Sequence, residues 1–506
     1  MTITLHISDD QARLLEAQAA QHARNKPVRG MDPRVREEDG RGGKVHRASL
    51  VAMSLILVSL TLIQPSPVTA QDIDVPYSQF TLDNGLTVLV HEDHSTPFVS
   101  VNMWYHVGSG SEKAGRTGFA HLFEHIMFEG SGNVPEGKFD EWLEAAGGNN
   151  NGSTTGDRTN YYEDVPSNGL ELALFLESDR MGYLLDAMSP EKVDGQRDVV
   201  KNERRQSYEN RPYGLAFPTL GEALYAPDHP YHWPTIGYMD HLSAASYEDV
   251  VDFFKRFYGP NNASLAISGD VTVDEARVLV EKWFGDVPGG QPVLPVDAPP
   301  AYLDTEKRMV LEDDVQLPRL YMAWLTPPAF TPGDAEMQLL ADIFAGGKNA
   351  RLYNRLVYDL QIAQDVFAFQ NSNKLSSSFF IVATARPGVS LSELQTVIQE
   401  EIDKIKAEPP TERELGRAVN QYEAQFLDQL QSIGGFSGKA EMLNNYYYFT
   451  RNPGYFNEDL ARFKAVRPND IQAMARSFLR DDGRVVLGVV PEGATDLAPQ
   501  LVPAGQ

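Results

Sequence analysis

The chain contains no cysteine, and this absence excludes two kinds of stabilising chemistry. None of its 506 residues can form a disulfide or offer a thiolate to a metal ion. A metal site in this protein must therefore be built from histidine and carboxylate side chains. An exported protein without disulfides is compatible with a bacterial periplasm or an extracellular location.

Basic residues are scarce relative to acidic ones. The chain has 44 Lys and Arg against 70 Asp and Glu, which gives a formal net charge of −26 at pH 7. A surface of this charge repels the phosphate backbone of nucleic acids and anionic lipids. We therefore expect no nucleic-acid partner, and we expect any peptide ligand to be basic or neutral.

Long hydrophobic runs are also scarce, and the one that occurs lies near the start. Residues 50–63 are apolar, but the run is shorter than the roughly 20 residues that span a bilayer. Small residues follow it at Val68-Thr69-Ala70, a cleavage pattern. We predict a signal peptide cleaved after Ala70, a translation start at Met31 and no stable membrane anchor, and hence a periplasmic or secreted protein.

The length and the hydrophobic content of 42% indicate a folded protein with two or more cores. Alternating strands and amphipathic helices recur in two halves, for example as a strand at Arg319–Leu325 and a helix at Asp334–Phe344. Prolines and glycines crowd between the halves. We predict two copies of one α+β unit, with an N-terminal extension at 1–70, a first domain at 71–288, a linker at 289–300 and a second domain at 301–506.

The sequence His121-Leu122-Phe123-Glu124-His125 is the most informative motif. Residues four apart lie one turn apart on the same side of an α-helix, so His121 and His125 can share one metal ion. Glu124 lies beside them and could act as a general base. The order is inverted relative to the commoner HExxH pattern.

The motif alone does not decide the function, because a chance occurrence in a chain with 11 histidines is on the order of one in a hundred. A third ligand should come from a separate helix. The stretch 193–209 is polar with valines on one side, which is typical of a helix, and Glu203 within it is the best candidate.

Together these residues resemble the pitrilysin/insulinase family of zinc peptidases, in the branch of shorter subunits that includes mitochondrial processing peptidase. The family's distal glutamate follows a pattern matched by Arg197-Asp198-Val199 and Glu203. Further matches are Gly108-Ser109, Glu112, Phe128-Glu129-Gly130, Gly147-Gly148, Asn151, Thr154, Asp157 and Thr159-Asn160-Tyr161. The resemblance implies two homologous α+β domains, each a mixed or antiparallel sheet flanked by helices, and a Zn²⁺ cofactor held by His121, His125 and Glu203.

The resemblance also suggests how substrate binds. Residues 149–164 are polar and could form a simple loop, but the equivalent family segment is an edge strand that pairs with extended peptide. Asn151 is similar to the family residue that contacts the substrate backbone. Gly152 replaces the family's alanine, which should loosen this strand.

Two departures from the family pattern concern activity. Gln196 stands where the family often has a second glutamate that supports the metal helices. Val357 and Gln364 stand where single-chain members carry an Arg and a Tyr that grip substrate, whereas Arg351 and Tyr358 have the right spacing but come too early. We therefore expect a homologous partner subunit that carries this Arg/Tyr pair.

The leading interpretation is a secreted zinc metalloendopeptidase acting on unfolded peptides, with Glu124 as catalytic base, as the metal-bearing subunit of a heterodimer. A processing peptidase that trims specific precursors is a second enzymatic interpretation. A non-catalytic or scaffold subunit of a processing-peptidase-like complex is the alternative outside enzymes.

Overall fold

The computed structural model describes residues 73–499. The predicted signal peptide, its cleavage after Ala70 and the candidate start at Met31 lie outside the described residues. Within the described part, no helix combines the length and the apolar character needed to cross a membrane.

Between residues 73 and 306, the structure contains one six-stranded sheet. Its strands are β1 Ser78–Thr81, β2 Thr87–Glu92, β3 Phe98–Tyr105, β4 Asn149–Thr154, β5 Thr159–Pro166 and β6 Ala263–Gly269. They lie in the order β1-β2-β6-β3-β5-β4. Only β2 and β6 pair in parallel, so the sheet is mixed. Strand β4 therefore forms one edge.

The helices of this half are α1 Phe119–Ile126, α2 Lys138–Ala145, α3 Leu170–Ala187, α4 Pro190–Arg204, α5 Ala216–Leu224, α6 Met239–Ala244, α7 Tyr247–Phe257 and α8 Val273–Phe284. All of them except α5 contribute to one apolar core with strands β2, β3, β5 and β6. Burial of this shared face supplies the main driving force for packing the helices on the sheet.

The second half, within residues 307–499, contains a five-stranded sheet. Its strands are β7 Lys307–Asp313, β8 Arg319–Thr326, β9 Ala363–Asn371, β10 Ser377–Ala385 and β11 Arg484–Pro491, and its helices are α9 Asp334–Ala345, α10 Leu391–Ala407, α11 Glu412–Gln429, α12 Lys439–Thr450, α13 Phe456–Lys464 and α14 Pro468–Phe478. The strand order is β7-β11-β8-β10-β9, and β7 and β11 are the parallel pair.

The two sheets have equivalent topologies. Without β1, the order β2-β6-β3-β5-β4 corresponds strand by strand to β7-β11-β8-β10-β9, with the parallel pair in the same place. The predicted α+β class and the predicted repeat are thus confirmed. Helix α9 follows β8 as α1 follows β3, so it is the counterpart of the histidine helix, and its sequence DAEMQLLADIFA has no histidine.

One helix of each half packs on the sheet of the other half, across the predicted boundary. Residues 288–306 form no helix or strand, but α5 packs on the second sheet and α12 on the first. Glu441 of α12 is buried and its Oε2 accepts hydrogen bonds from Asn102, Trp104 and Asn160 at 3.0, 2.8 and 2.8 Å. The proposed boundaries at 71–288, 289–300 and 301–506 stay predictions, and neither sheet is covered by its own half alone.

Arg180 of α3 is buried beneath the first sheet between two carboxylates. Its guanidinium donates to Glu163 at 2.9 Å and, through Nε, to Glu177 at 2.9 Å. It also lies 4.1 Å from the ring centre of Tyr161 on β5. One buried cation thus neutralises part of a doubly acidic pair and supports an aromatic ring of the sheet.

We expect Arg180→Met to lower the free energy of unfolding by about 3 kcal/mol or more, because two carboxylates would remain buried without their cation. Urea denaturation followed by circular dichroism measures the change. Arg277→Met is the matched control: Arg277 also covers an aromatic ring, Phe80, but is largely exposed, so its loss should cost less than about 1 kcal/mol. Equal losses in the two variants would contradict the assignment.

Candidate metal centre

Helix α1 begins at a position fixed by a buried carboxylate. Gly118, which precedes the helix, has φ +92°, and a Cβ there would lie 2.9 Å from the carbonyl oxygen of Ile236. Glu112 accepts hydrogen bonds from the backbone N–H groups of Gly118 and Ala120 at 2.9 and 2.8 Å. These donors have no partner inside the helix, and the carboxylate also lies at its positive end.

The apolar side of α1 faces the core and its two histidines face the other way, toward α4. Phe119, Leu122, Phe123 and Ile126 are buried in the apolar core. His121 and His125 lie one turn apart with their ring centres 4.8 Å from each other. The predicted sharing of one side of a helix by the two histidines is therefore observed.

Helix α4 brings Glu203 to the histidines. Ser189 caps its start by accepting from the backbone N–H of Lys192, and Pro190 occupies the first turn. The α-helix ends at Arg204, one residue after Glu203, and continues as a π-helical turn at Arg205–Glu209. Glu203 Oε2 lies 3.3 Å from His125 Nε2 and 3.7 Å from His121 Nε2.

These three side chains form a cluster of potential metal ligands. One ligand atom from each lies within 4.8 Å of the others, and residues 73–499 hold no second group of three His, Asp or Glu with that property. The sequence therefore named all three members of the cluster that the tertiary structure assembles.

The local electrostatics favour the metal-binding protonation states. Burial lowers the pKa of His121, and the neighbouring His125 lowers it further. Burial opposes ionisation of Glu203, but the contact with His125 and the charge of His121 outweigh it and hold the pKa of that carboxyl below its usual value. A neutral imidazole beside an ionised carboxylate is the form that binds a divalent metal.

The donor set fits a zinc ion. Ligand atoms about 2.1 Å from a tetrahedral zinc lie about 3.4 Å apart, close to the observed 3.3 and 3.7 Å. Glu203 Oε2 is buried and has no hydrogen-bond partner among the described residues, a costly arrangement that a cation would relieve. Three protein ligands would leave one coordination position for water or substrate.

The side chain of Glu124 extends from α1 toward the edge strand β4. Thr154 Oγ1 donates a hydrogen bond to Glu124 Oε2 at 2.6 Å. A Cβ on Gly152 would lie 3.1 Å from Glu124 Cγ and 3.1 Å from the Tyr161 ring. The glycine that departs from the family pattern thus leaves room for the glutamate side chain, a role beyond loosening the strand.

Residues 149–164 form two strands rather than a polar loop. Strand β4 pairs in antiparallel register with β5, for example Asn151 with Tyr162, and its other side is the sheet edge. Asn151 Oδ1 accepts from the backbone N–H of Gly152 at 2.8 Å. The predicted edge strand is therefore observed, and its pairing with substrate stays a prediction.

Two family models match adjoining parts of the chain. Residues 87–229 match the model described as Insulinase (Peptidase family M16), and residues 244–422 match the one described as Peptidase M16 inactive domain. The chain belongs to the insulinase family, peptidase M16. Glu124 and all three candidate ligands lie in the part that matches the insulinase model.

Relatives and solved structures agree with this placement. Zinc protease PqqE of Helicobacter pylori is 28% identical over 433 residues, covering 85% of this chain and 95% of that protein. The crystal structure of a protease from Helicobacter pylori aligns with a TM-score of 0.76 at 25% identity, over 82% of this chain and 100% of that one. A peptidase M16 inactive domain from Pseudomonas fluorescens shares the fold, with a TM-score of 0.74 at 18% identity over 82% and 98% of the two chains.

Gln196, the predicted supporting residue, lies on α4 together with Glu203. Its Nε2 donates to Glu129 Oε1 at 2.5 Å, and Lys192 Nζ donates to the Glu129 carbonyl at 2.7 Å. Glu129 follows the end of α1. The predicted supporting residue therefore ties α4 to the segment after the histidine helix.

Arg351, which has the right spacing but comes too early in the chain, is held in an ion pair. Its guanidinium donates to both carboxylate oxygens of Glu414, at 2.6 and 2.9 Å. Burial opposes ionisation of Glu414, but this pair and the capping bonds of Thr411 lower the pKa of Glu414 to about 2. Val357 is buried and Gln364 is exposed, and neither side chain carries a charge.

Two site residues were matched to the family in the sequence without receiving a role. Glu112 caps the histidine helix, and Thr154 contacts Glu124. Their spacing from the motif carried no signal of these contacts, because each depends on a loop or strand that folds back onto α1.

The Glu112 cap predicts a pH dependence of stability. Burial raises the pKa of Glu112 to about 8, although the N–H groups of Ala120 and Gly118 oppose the shift. A folded pKa above the ordinary 4.5 means that the native protein binds a proton that the unfolded chain releases, so stability falls as pH rises from about 4.5 to 8 and is level above. We expect Glu112→Gln to remove this fall.

Urea unfolding at pH 5.5, 7 and 8.5 measures the effect as the difference between wild type and Glu112→Gln. Glu275→Gln, an exposed residue in the first turn of α8, is the control and should run parallel to wild type. A Glu112→Gln curve that also runs parallel to wild type would show that the pKa of Glu112 is not raised in the folded protein.

Proposed function

We propose that this protein is a zinc metalloendopeptidase that hydrolyses peptide bonds of unfolded peptides. The observation that carries the proposal is the approach of Glu203 Oε2 to within 3.3 and 3.7 Å of the two histidine Nε2 atoms, with Glu124 on the same helix turned toward an open sheet edge. The name of the Helicobacter pylori relative, a zinc protease, supports the same chemistry.

The chain's own residues would divide the reaction as follows. His121, His125 and Glu203 would hold a zinc ion, which when bound would supply Lewis acidity to polarise the substrate carbonyl and activate water. Glu124 accepts a proton from the attacking water and delivers it to the leaving amine. Burial of the ligands strengthens these electrostatic interactions, because little water competes with them.

The edge strand β4 supports an extended peptide as the substrate. An extended chain added to a sheet edge is bound through main-chain hydrogen bonds, which most sequences can form once unfolded. Strand β4 offers such an edge directly beside Glu124. We assign the side-chain amide of Asn151 to the substrate backbone, as the family resemblance implies.

A partner subunit would complete the site. Arg351 is paired with Glu414, Val357 has no side-chain donor and Gln364 has only a neutral amide, so the two family positions in this chain do not carry the Arg and Tyr donors of single-chain members. We propose that the protein is the metal-bearing subunit of a heterodimer whose homologous partner contributes an Arg and a Tyr. The alternative is a non-catalytic subunit of a processing-peptidase-like complex.

We further propose that the protein acts in the periplasm or outside the cell. The apolar run at residues 50–63, the small-residue pattern ending at Ala70 and the absence of cysteine support export.

Zinc binding together with zinc-dependent turnover separates a peptidase from a scaffold. We expect the full chain to bind one zinc ion, His125→Ala to weaken binding by at least about 100-fold, and Glu124→Gln to keep zinc while lowering kcat by about 100- to 10,000-fold. Competition with a chromogenic chelator measures affinity, and quenched fluorescent peptides measure turnover. Zinc-independent turnover, or no zinc binding by wild type, would contradict the proposal.

The partner hypothesis predicts low turnover by the zinc-loaded chain alone. Adding a homologous subunit with the Arg/Tyr pair should raise kcat by about 100-fold or more, the usual effect of one oxyanion donor. Peptide turnover at increasing partner concentration measures the gain, and a partner whose Arg is replaced by Ala is the control. A homodimer with full activity would overturn the hypothesis.

A further inference from the structure

Thr154, the last residue of strand β4, contacts the carboxylate of Glu124 directly. Its hydroxyl donates to Glu124 Oε2 at 2.6 Å, the short distance typical of an O–H group bonded to a carboxylate. We propose that Thr154 is a positioning residue for Glu124, an inference that rests on the proposed function. The hydroxyl holds one carboxylate oxygen, so the other oxygen is presented for proton transfer.

The geometry of β4 explains why this contact matters. A glutamate has three rotatable side-chain bonds, and a general base must lie within hydrogen-bond reach of its proton. Residues two apart on a strand share a side, so Gly152 and Thr154 both face Glu124. Gly152 contributes space, since a Cβ would come within 3.1 Å of Glu124 Cγ, and Thr154 contributes the donor.

Thr154 is itself held in place from the opposite side of the sheet. Ser153 Oγ donates to Asn160 Oδ1 at 2.6 Å, and Arg158 Nη1 donates to the Ser153 carbonyl at 2.9 Å. Asn160 Nδ2 in turn donates to the buried Glu441 of α12 at 2.8 Å. The end of β4 is thus fixed by bonds that reach into the second half, so the hydroxyl keeps its position relative to α1.

The test compares Thr154→Val, which keeps the shape and removes the hydroxyl, with Thr154→Ser, which keeps the hydroxyl. We expect Thr154→Val to lower kcat about 10-fold with KM within about twofold, and Thr154→Ser to stay within about threefold of wild type. Zinc affinity should be unchanged in both. The control is Thr87→Val on strand β2. This change removes a hydroxyl that is bonded to Tyr447, and it should leave kcat unchanged.

A double-mutant cycle separates positioning from a structural role. If Thr154 acts through Glu124, Thr154→Val should cost nothing further in a Glu124→Gln background. A loss that persists in that background, weakened zinc binding in Thr154→Val, or wild-type kcat in Thr154→Val would each overturn the proposal.

A crystal structure of each zinc-loaded variant provides a readout independent of turnover. We expect the Glu124 side chain to be ordered in wild type and Thr154→Ser and displaced in Thr154→Val. If the wild-type protein binds zinc but hydrolyses no peptide even with a partner, the proposed function fails, while these structures still decide whether Thr154 positions Glu124. An unmoved Glu124 in Thr154→Val would overturn the positioning role itself.

Discussion

The approach of helix α4 to helix α1 is the constraint on which the candidate site depends. It places a buried carboxylate oxygen 3.3 Å from one imidazole nitrogen and 3.7 Å from another. Burying such groups without partners is costly, so the surrounding structure must hold them together. Glu112 fixes the start of α1, and Gln196 and Lys192 of α4 bind Glu129 just beyond its end.

The duplicated fold assigns different tasks to its two halves. The strand orders are equivalent, but α9, in the place of α1, has no histidine. The second half instead makes hydrogen bonds that hold part of the first half in place. Tyr448 of α12 donates to the Asp157 carbonyl at 2.8 Å, and the backbone N–H of Lys374 donates to Asp157 Oδ2 at 3.0 Å. Both contacts secure the turn between β4 and β5, next to the candidate substrate edge.

A buried charged network lies within the apolar core under the site. Arg180 lies between Glu163 and Glu177 and supports the ring of Tyr161, which in turn lies beside Gly152 and Glu124. A charged group with several fixed partners has fewer alternative arrangements than an aliphatic side chain of similar size. This network therefore connects the packing of α3 to the position of the strand that faces the base.

Local sequence patterns predicted many of the helices and strands of this protein and part of its candidate site. Period-two and helical patterns predicted elements such as β8 and α9 to within a residue at their ends, and the spacing of His121, Glu124 and His125 placed three site residues on one helix. The helical pattern of 193–209 made Glu203 the best candidate for the third ligand, and the family pattern named the same residue. Only the tertiary structure decided that α5 and α12 exchange halves, that Arg351 binds Glu414, and that Glu112 and Thr154 contact α1. Periodicity reports which side of an element is buried, whereas the partner that covers it depends on contacts between segments far apart in the chain.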